Sequence, residues 1–194
     1  MNSCVVALLA IAALVSFNAR DCFSAGDLIY SESGKLKIEI VRIPEKNEAW
    51  LVSSRNPSER TLLYRFTRDI DAVFSPDDSR IALVDWAASD YAKVVVFQRK
   101  GVGLSYAALK DDLETPTWKA CIASLGIGSA NAFANRHTIA LAWSGDSGAI
   151  LLRLTGMLNT GEMLSAFHCV YDFETHQVGM DLNRMNKGAL TRRE

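Results

Sequence analysis

The stretch Phe74-Ser75-Pro76-Asp77-Asp78-Ser79-Arg80-Ile81-Ala82-Leu83-Val84-Asp85-Trp86 reads as a strand end, a tight polar turn and a second, apolar strand. Pro76 fixes one φ, and Asp77, Asp78 and Ser79 follow with side chains that hydrogen-bond nearby backbone N–H groups. Outward from it, further runs rich in β-branched and aromatic residues recur: 35–43, 49–54, 61–66, 92–99, 138–143, 149–154 and 167–173. Several alternate apolar with polar, and polar or Pro/Gly-bearing turns separate them. Their spacing of about 10 to 15 residues is the rhythm of an antiparallel meander. The segment Gly145-Asp146-Ser147-Gly148 supplies positive φ for another hairpin turn.

One region breaks this rhythm. From 103 to 136 the chain is rich in Ala and Leu, and Thr115 followed by Pro116 marks a helix start as N-cap and N1. Trp118, Ile122 and Leu125 then fall at i, i+4 and i+7, and Gly126 and Gly128 can end the helix. A first short helix is expected over 106–113. The reading is an α-helical insertion near 104–125, within a segment 104–135, whose apolar stripe packs on the core.

Set against itself, the chain repeats the opening unit. DAVFSPDDSRIALVD and ALAWSGDSGAILLRL share an aromatic-Ser pair, an Asp-containing turn and a β-strand, with Phe74-Ser75 matching Trp143-Ser144. A third copy is expected at Leu51-Val52-Ser53-Ser54, where the turn 55–58 leads into a strand. The offset of the first pair shortens, once the helical insertion is removed, to near the period of about 40 to 45 residues of a four-stranded propeller blade. FSPDDSRIALV resembles the blade signature of WD-repeat-like propellers of the bacterial TolB type, with Asp78 where that signature carries Gly. CVYDFETHQV, 169–178, is similar to the outer strand of such a blade. The resemblance implies architecture and not chemistry.

The expected fold is therefore mainly β, an antiparallel meander of about three, at most four, propeller-like blades with an α-helical insertion. Four blades is the usual minimum for closure. The expectation is a partial propeller with its open edge covered by the helical segment, a small compact variant, or one part of an oligomer.

The N-terminus points to export. Residues 4–17, CVVALLAIAALVSF, are too short for a membrane span of roughly 20 residues and suit the apolar core of a signal peptide. Cleavage is expected before Ala25, giving a signal peptide 1–24, a domain 25–180 and a basic, flexible tail 181–194. Ala19-Arg20-Asp21 puts charges where a lipoprotein signal ending at Cys22 needs small residues. Location is accordingly periplasmic or secreted. Net charge is −1, so nothing favours nucleic acid or an anionic membrane as partner. Cys121 and Cys169 remain after cleavage and are expected to form a disulfide in an oxidising compartment, with two buried free thiols as the alternative.

Catalytic patterns are sparse. Gly145-Asp146-Ser147-Gly148 copies the nucleophile segment of chymotrypsin-like proteases, but Ala149 departs from the following Gly of that family. The nearest upstream histidine is His137. His137, His168 and His176 lack metal spacing, and Asp77-Asp78 and Asp111-Asp112 lack the calcium-loop pattern, reading instead as turn and helix-surface charges. Gly126 and Gly128 are too few for a dinucleotide loop. No metal and no cofactor is expected. The preferred function is a non-catalytic binding or scaffold module of the cell envelope or exterior, with Trp86, Tyr91 and Trp143 as candidate contact residues. Its partner would be another protein, with self-association open. The alternatives are an envelope hydrolase using Ser147 or His137 with Asp146, and a small secreted inhibitor or immunity-type protein.

Overall fold

A computed structural model describes residues 28–129 and 132–186. The proposed signal peptide, its cleavage site and the tail beyond 186 lie outside them. Twelve strands form three successive four-stranded antiparallel units. Blade 1 holds β1 (Leu28–Tyr30), β2 (Leu36–Val41), β3 (Asn47–Ser53) and β4 (Arg60–Phe66). Blade 2 holds β5 (Ile70–Phe74), β6 (Arg80–Ala88), β7 (Tyr91–Arg99) and β8 (Tyr106–Ala108). Blade 3 holds β9 (Phe133–Trp143), β10 (Ala149–Leu158), β11 (Met163–Asp172) and β12 (Gln177–Gly179). The expected mainly-β meander of about three blades is the fold observed. A short parallel bridge, Tyr91 with Arg136 and Ala92 with His137, ties blade 3 to blade 2.

The opening stretch shows why the blades stack. In β6, Ile81, Ala82, Leu83 and Val84 are each 0% exposed, because both faces of blade 2 are covered. Ile81 and Leu83 meet Leu36, Ile38, Leu51 and Phe66 of blade 1. Ala82 and Val84 meet Trp143, Ile150 and Leu152 of blade 3. Each such side chain stabilises the stack by about 1.5–3 kcal/mol, less for the alanine. In β2, by contrast, apolar and charged residues alternate from Leu36 to Ile40. Leu36 and Ile38 are buried, whereas Lys37 pairs with Glu39 at 2.8 Å. On the same outer face the Arg60 guanidinium lies 4.4 Å from the Trp50 ring, and Trp50 donates to Glu48 at 2.9 Å. Blade 1 therefore presents a charged face away from blade 2.

Between blades 2 and 3 runs α1 (Glu114–Leu125). It starts one residue before the expected N-cap Thr115, because Asp112 accepts the N–H groups of Glu114 and Thr115 at 3.0 and 3.1 Å. Asp112, one residue before the N-cap Leu113, thus ties down the first turn and is not a loose surface charge, and those bonds hold its carboxyl below the usual range. Gly126 ends the helix at φ +67°, as the sequence indicated. Trp118 and Cys121 are buried against Phe133 and Leu154, while Leu125 is exposed.

Three expectations need correction. Residues 106–113 form no helix, and Tyr106–Ala108 instead pairs with Phe97–Arg99 as β8. Pairing to a formed sheet outweighs the helical propensity of Ala and Leu. Cys121 and Cys169 are free thiols. Each fills apolar space, on α1 and on β11, and burial raises them to about 11 and about 12, so they behave as small hydrophobes. Arg184 is no loose tail charge. It lies in the 3-10 turn Leu182–Asn186 and bridges Asp146, at 2.8 Å, and Asp172.

Candidate functional site

The two ends of the blade stack differ in chemistry. At one end the inner hairpins of the three blades make the same turn three times. In blade 2, the Ser75 and Asp78 N–H groups donate to Arg80 and Ser75 carbonyls, both at 2.9 Å. Arg80 N–H reaches Ser75 Oγ at 2.8 Å. That hydroxyl donates to Asp77 at 2.8 Å, and Asp77 also accepts Ser79 N–H at 2.9 Å. In blade 3, Ser144, Asp146, Ser147, Gly148 and Ala149 repeat every one of these bonds. In blade 1, Ser31, Ser33, Gly34, Lys35 and Leu36 do so again, with Ser33 in the place of the aspartate. The left-handed position is filled by Gly34, Asp78 and Ser147, at φ of +68°, +56° and +60°.

The third copy of the unit is therefore at Ser31, not at Leu51, which sits within β3. A serine three positions before the left-handed residue is the signal that would have found it. The turns also lock to one another. Ser33 donates to Asp78 at 2.6 Å, and Arg80 donates to the Ser147 carbonyl. Burial pushes Asp77 up, but the neighbouring Ser147 hydroxyl and the hydrogen bonds from Ser79 and Ser75 outweigh it and bring it to about 2. Its stabilising contribution is present above the unfolded value near 3.8 and is lost as pH falls through about 2. Allowing for solvent screening of this exposed group, Asp77→Asn is expected to cost about 1 kcal/mol at pH 7. Chemical denaturation at pH 7 and near pH 2 should show that gap close in acid. A gap independent of pH would rule out the carboxylate as its source.

These geometries decide what the protease-like segment can do. Ser147 is 1% exposed, and its hydroxyl lies against Asp77, so it presents no nucleophile to solvent. Asp146 is occupied by Ser144, Gly148 N–H and Arg184, which together hold it well below the usual carboxylate range despite its burial. His137 sits on the far half of β9, on the order of 20 Å away at about 3.3 Å per residue. The structure thus separates His137 from Asp146 and Ser147. Trp143 belongs to the core, 8% exposed, stacked 5.5 Å from Phe173 and donating to the Val73 carbonyl at 2.9 Å.

At the opposite end the remaining candidates gather. Trp86 and His137 pack with ring centres 5.8 Å apart, and Trp86 donates to Asp71 at 2.8 Å. Burial raises the Asp71 carboxyl, with the indole bond opposing. Tyr91 donates to Glu114 at 2.5 Å, and burial together with that bond raises the phenol to about 12. Tyr64 donates to Asp85 at 2.8 Å across blades 1 and 2. Beside Tyr91 lies a cleft of about 510 Å³ between α1 and β9, walled by Trp118, Ile122, Lys119 and Arg136. A second cleft, of about 550 Å³, lies at the turn end beside Arg184. There the guanidinium is already committed to two carboxylates.

Asp71, Asp85, Glu114 and Arg136 were not singled out from sequence. For Asp71 and Asp85 a signal existed, an acid inside an otherwise apolar strand. Glu114 and Arg136 meet only through the chain's path, and no local pattern marks them. Among the described residues no cluster of three or more His, Cys, Asp or Glu could hold a metal ion, and no helix is long and apolar enough to cross a membrane.

No protein-family model matches this chain, and no curated protein does. Among solved structures it is similar to TolB from Acinetobacter baumannii, at a TM-score of 0.45 and 13% identity. That similarity covers 79% of this chain and 31% of the other, so the chain spans about a third of that protein's length. The fold described above rests on its own strand pairing.

Proposed function

We propose that the protein is a non-catalytic binding or scaffold module working in the periplasm or outside the cell, with its contact surface at the α1 end of the blade stack. The observation that carries this reading is the sorting of side chains between the two ends. At the turn end Ser147 is sealed from solvent with its carbonyl taking the Arg80 guanidinium, and Asp146 and Arg184 are consumed by bonds within and between turns. At the α1 end Trp86, Tyr91 and His137 stand partly exposed beside a cleft. Aromatic groups on a rigid sheet end, next to loops, suit recognition of another protein. The export reading rests on the N-terminal apolar run.

Site-specific photo-cross-linking in the native host tests this, with the photoreactive residue placed at Asp90 or Thr115 at the α1 end, or at Val102 at the turn end. Cross-links from Asp90 and Thr115, with none from Val102, are expected. Cross-links confined to Val102 would place the contact surface at the other end and sink the proposal.

A further inference from the structure

We infer that the cleft between α1 and β9 receives an aliphatic carboxylate, the chemistry shared by a peptide's C-terminal end with an apolar last residue and by a free aliphatic acid. This rests on the α1 end being the binding end. The cleft's volume of about 510 Å³ lies within the range of small-ligand sites, roughly 300–1,000 Å³. Along α1, Glu114, Trp118 and Ile122 follow one another at helical spacing, giving a wall of about 12 Å at about 1.5 Å per residue.

The charges in this cleft are unequally committed. Asp112 is taken by the N–H groups of Glu114 and Thr115, and Glu114 accepts the Tyr91 phenol at Oε2, with Oε1 buried and unpartnered among the described residues. Arg136 and Lys119 form no ion pair among the described residues. Arg136 is also held in place at its root. Its N–H donates to the Asp90 carbonyl at 3.0 Å, and its backbone pairs with Tyr91. From this fixed backbone position the guanidinium offers the planar fork that a carboxylate matches with two bonds. Lys119 adds a second positive charge from the helix wall.

Apart from the Thr115 side chain, the rest of the lining is hydrocarbon. Trp118, 2% exposed and with its indole N–H spent on Thr138 at 3.0 Å, closes the floor of the cleft with ring carbon, and the partly exposed Ile122 continues that surface by one turn. One group with negative charge and an aliphatic body satisfies both parts of the cleft. A neutral amide of the same shape leaves the two cations solvated and gains only the apolar contact.

The test is a titration of the isotope-labelled full chain with hexanoate and with N-acetyl-alanyl-leucine, each against its neutral amide, followed at the Trp118 indole N–H and the Ile122 methyls. Both acids are expected to give saturable shifts, with binding weakened about tenfold in the amides and about tenfold by Arg136→Gln. Lys119→Gln is expected to weaken binding by a smaller factor. Which acid binds more tightly identifies the source of the carboxylate. The unperturbed backbone spectrum of Arg136→Gln would show that the fold is intact. Equal binding of acid and amide, or no saturable shift at Trp118 and Ile122, overturns the assignment. Cross-links from Asp90 and Thr115 together with that outcome would leave the α1 end as the contact surface and remove only the carboxylate.

Discussion

Trp118→Ala is expected to lower stability by about 4 kcal/mol, measured by chemical denaturation. Trp118 is among the largest fully buried side chains, 2% exposed. Its ring meets Phe133 edge-on at 5.0 Å, and its N–H donates to Thr138, itself 1% exposed. Truncation therefore opens a cavity and strands a buried hydroxyl, and both effects carry the same sign. Trp118→Phe keeps much of the volume and loses the hydrogen bond, so about 1–2 kcal/mol is expected. A loss below that for the alanine variant would mean that α1 does not hold the apolar space between blades 2 and 3.

The second large effect lies under the same ring. A Cβ at Gly156 would stand 2.5 Å from the Asn135 carbonyl oxygen, 3.0 Å from the Phe133 ring and 3.3 Å from Trp118. The nearest atom is backbone, and it cannot retreat without disturbing the β9–β10 ladder, where Gly156 pairs with Arg136 and Met157 with Asn135. Gly156→Ala is expected to cost about 2–3 kcal/mol by overpacking. The double variant with Trp118→Ala separates the causes. If backbone crowding dominates, the two losses add to within about 0.5 kcal/mol, whereas relief by removal of the ring would make the sum clearly smaller. A neutral Gly156→Ala would mean that the two strands can separate locally at no cost.

The fold was legible because its signals are local. Alternation in KLKIEIV marked a sheet with one wet face, and Lys37, Glu39 and Arg60 occupy that face. The turn residues announced their own hydrogen bonds, since a Ser or Asp side chain caps N–H groups within five positions of itself. The same locality explains what was missed. Ser31 to Leu36 lacks the proline and the aspartate pair of the blade 2 turn, with Glu32, Ser33 and Gly34 in their places, and the match lies in backbone geometry that glycine and serine also provide. Residues 106–113 carry helix-favouring composition, yet Tyr106 is held by Arg99 across its own hairpin and by the carbonyl of Asp78, 28 positions away.

The candidate site was less legible, for a related reason. Trp86 and Tyr91 belong to one hairpin and could be chosen by eye. Their partners Asp71, Glu114, Arg136 and His137 come from three other segments. His137 and Ser147 show the converse, close in sequence and placed at opposite ends by a single extended strand.

By itself the sequence determined that the chain is a meander of strands, where the inner hairpins of blades 2 and 3 turn, where its helix stops and roughly how many blades it makes. Those features depend on backbone preferences and hydrophobic period over a few residues. Only the tertiary structure decided that the thiols stay free, that Arg184 is a bridge and that Ser147 is sealed in a turn. It alone decided that Arg136 faces Trp118 across a cleft. Each of these depends on distances between segments, which the local pattern of a chain does not encode.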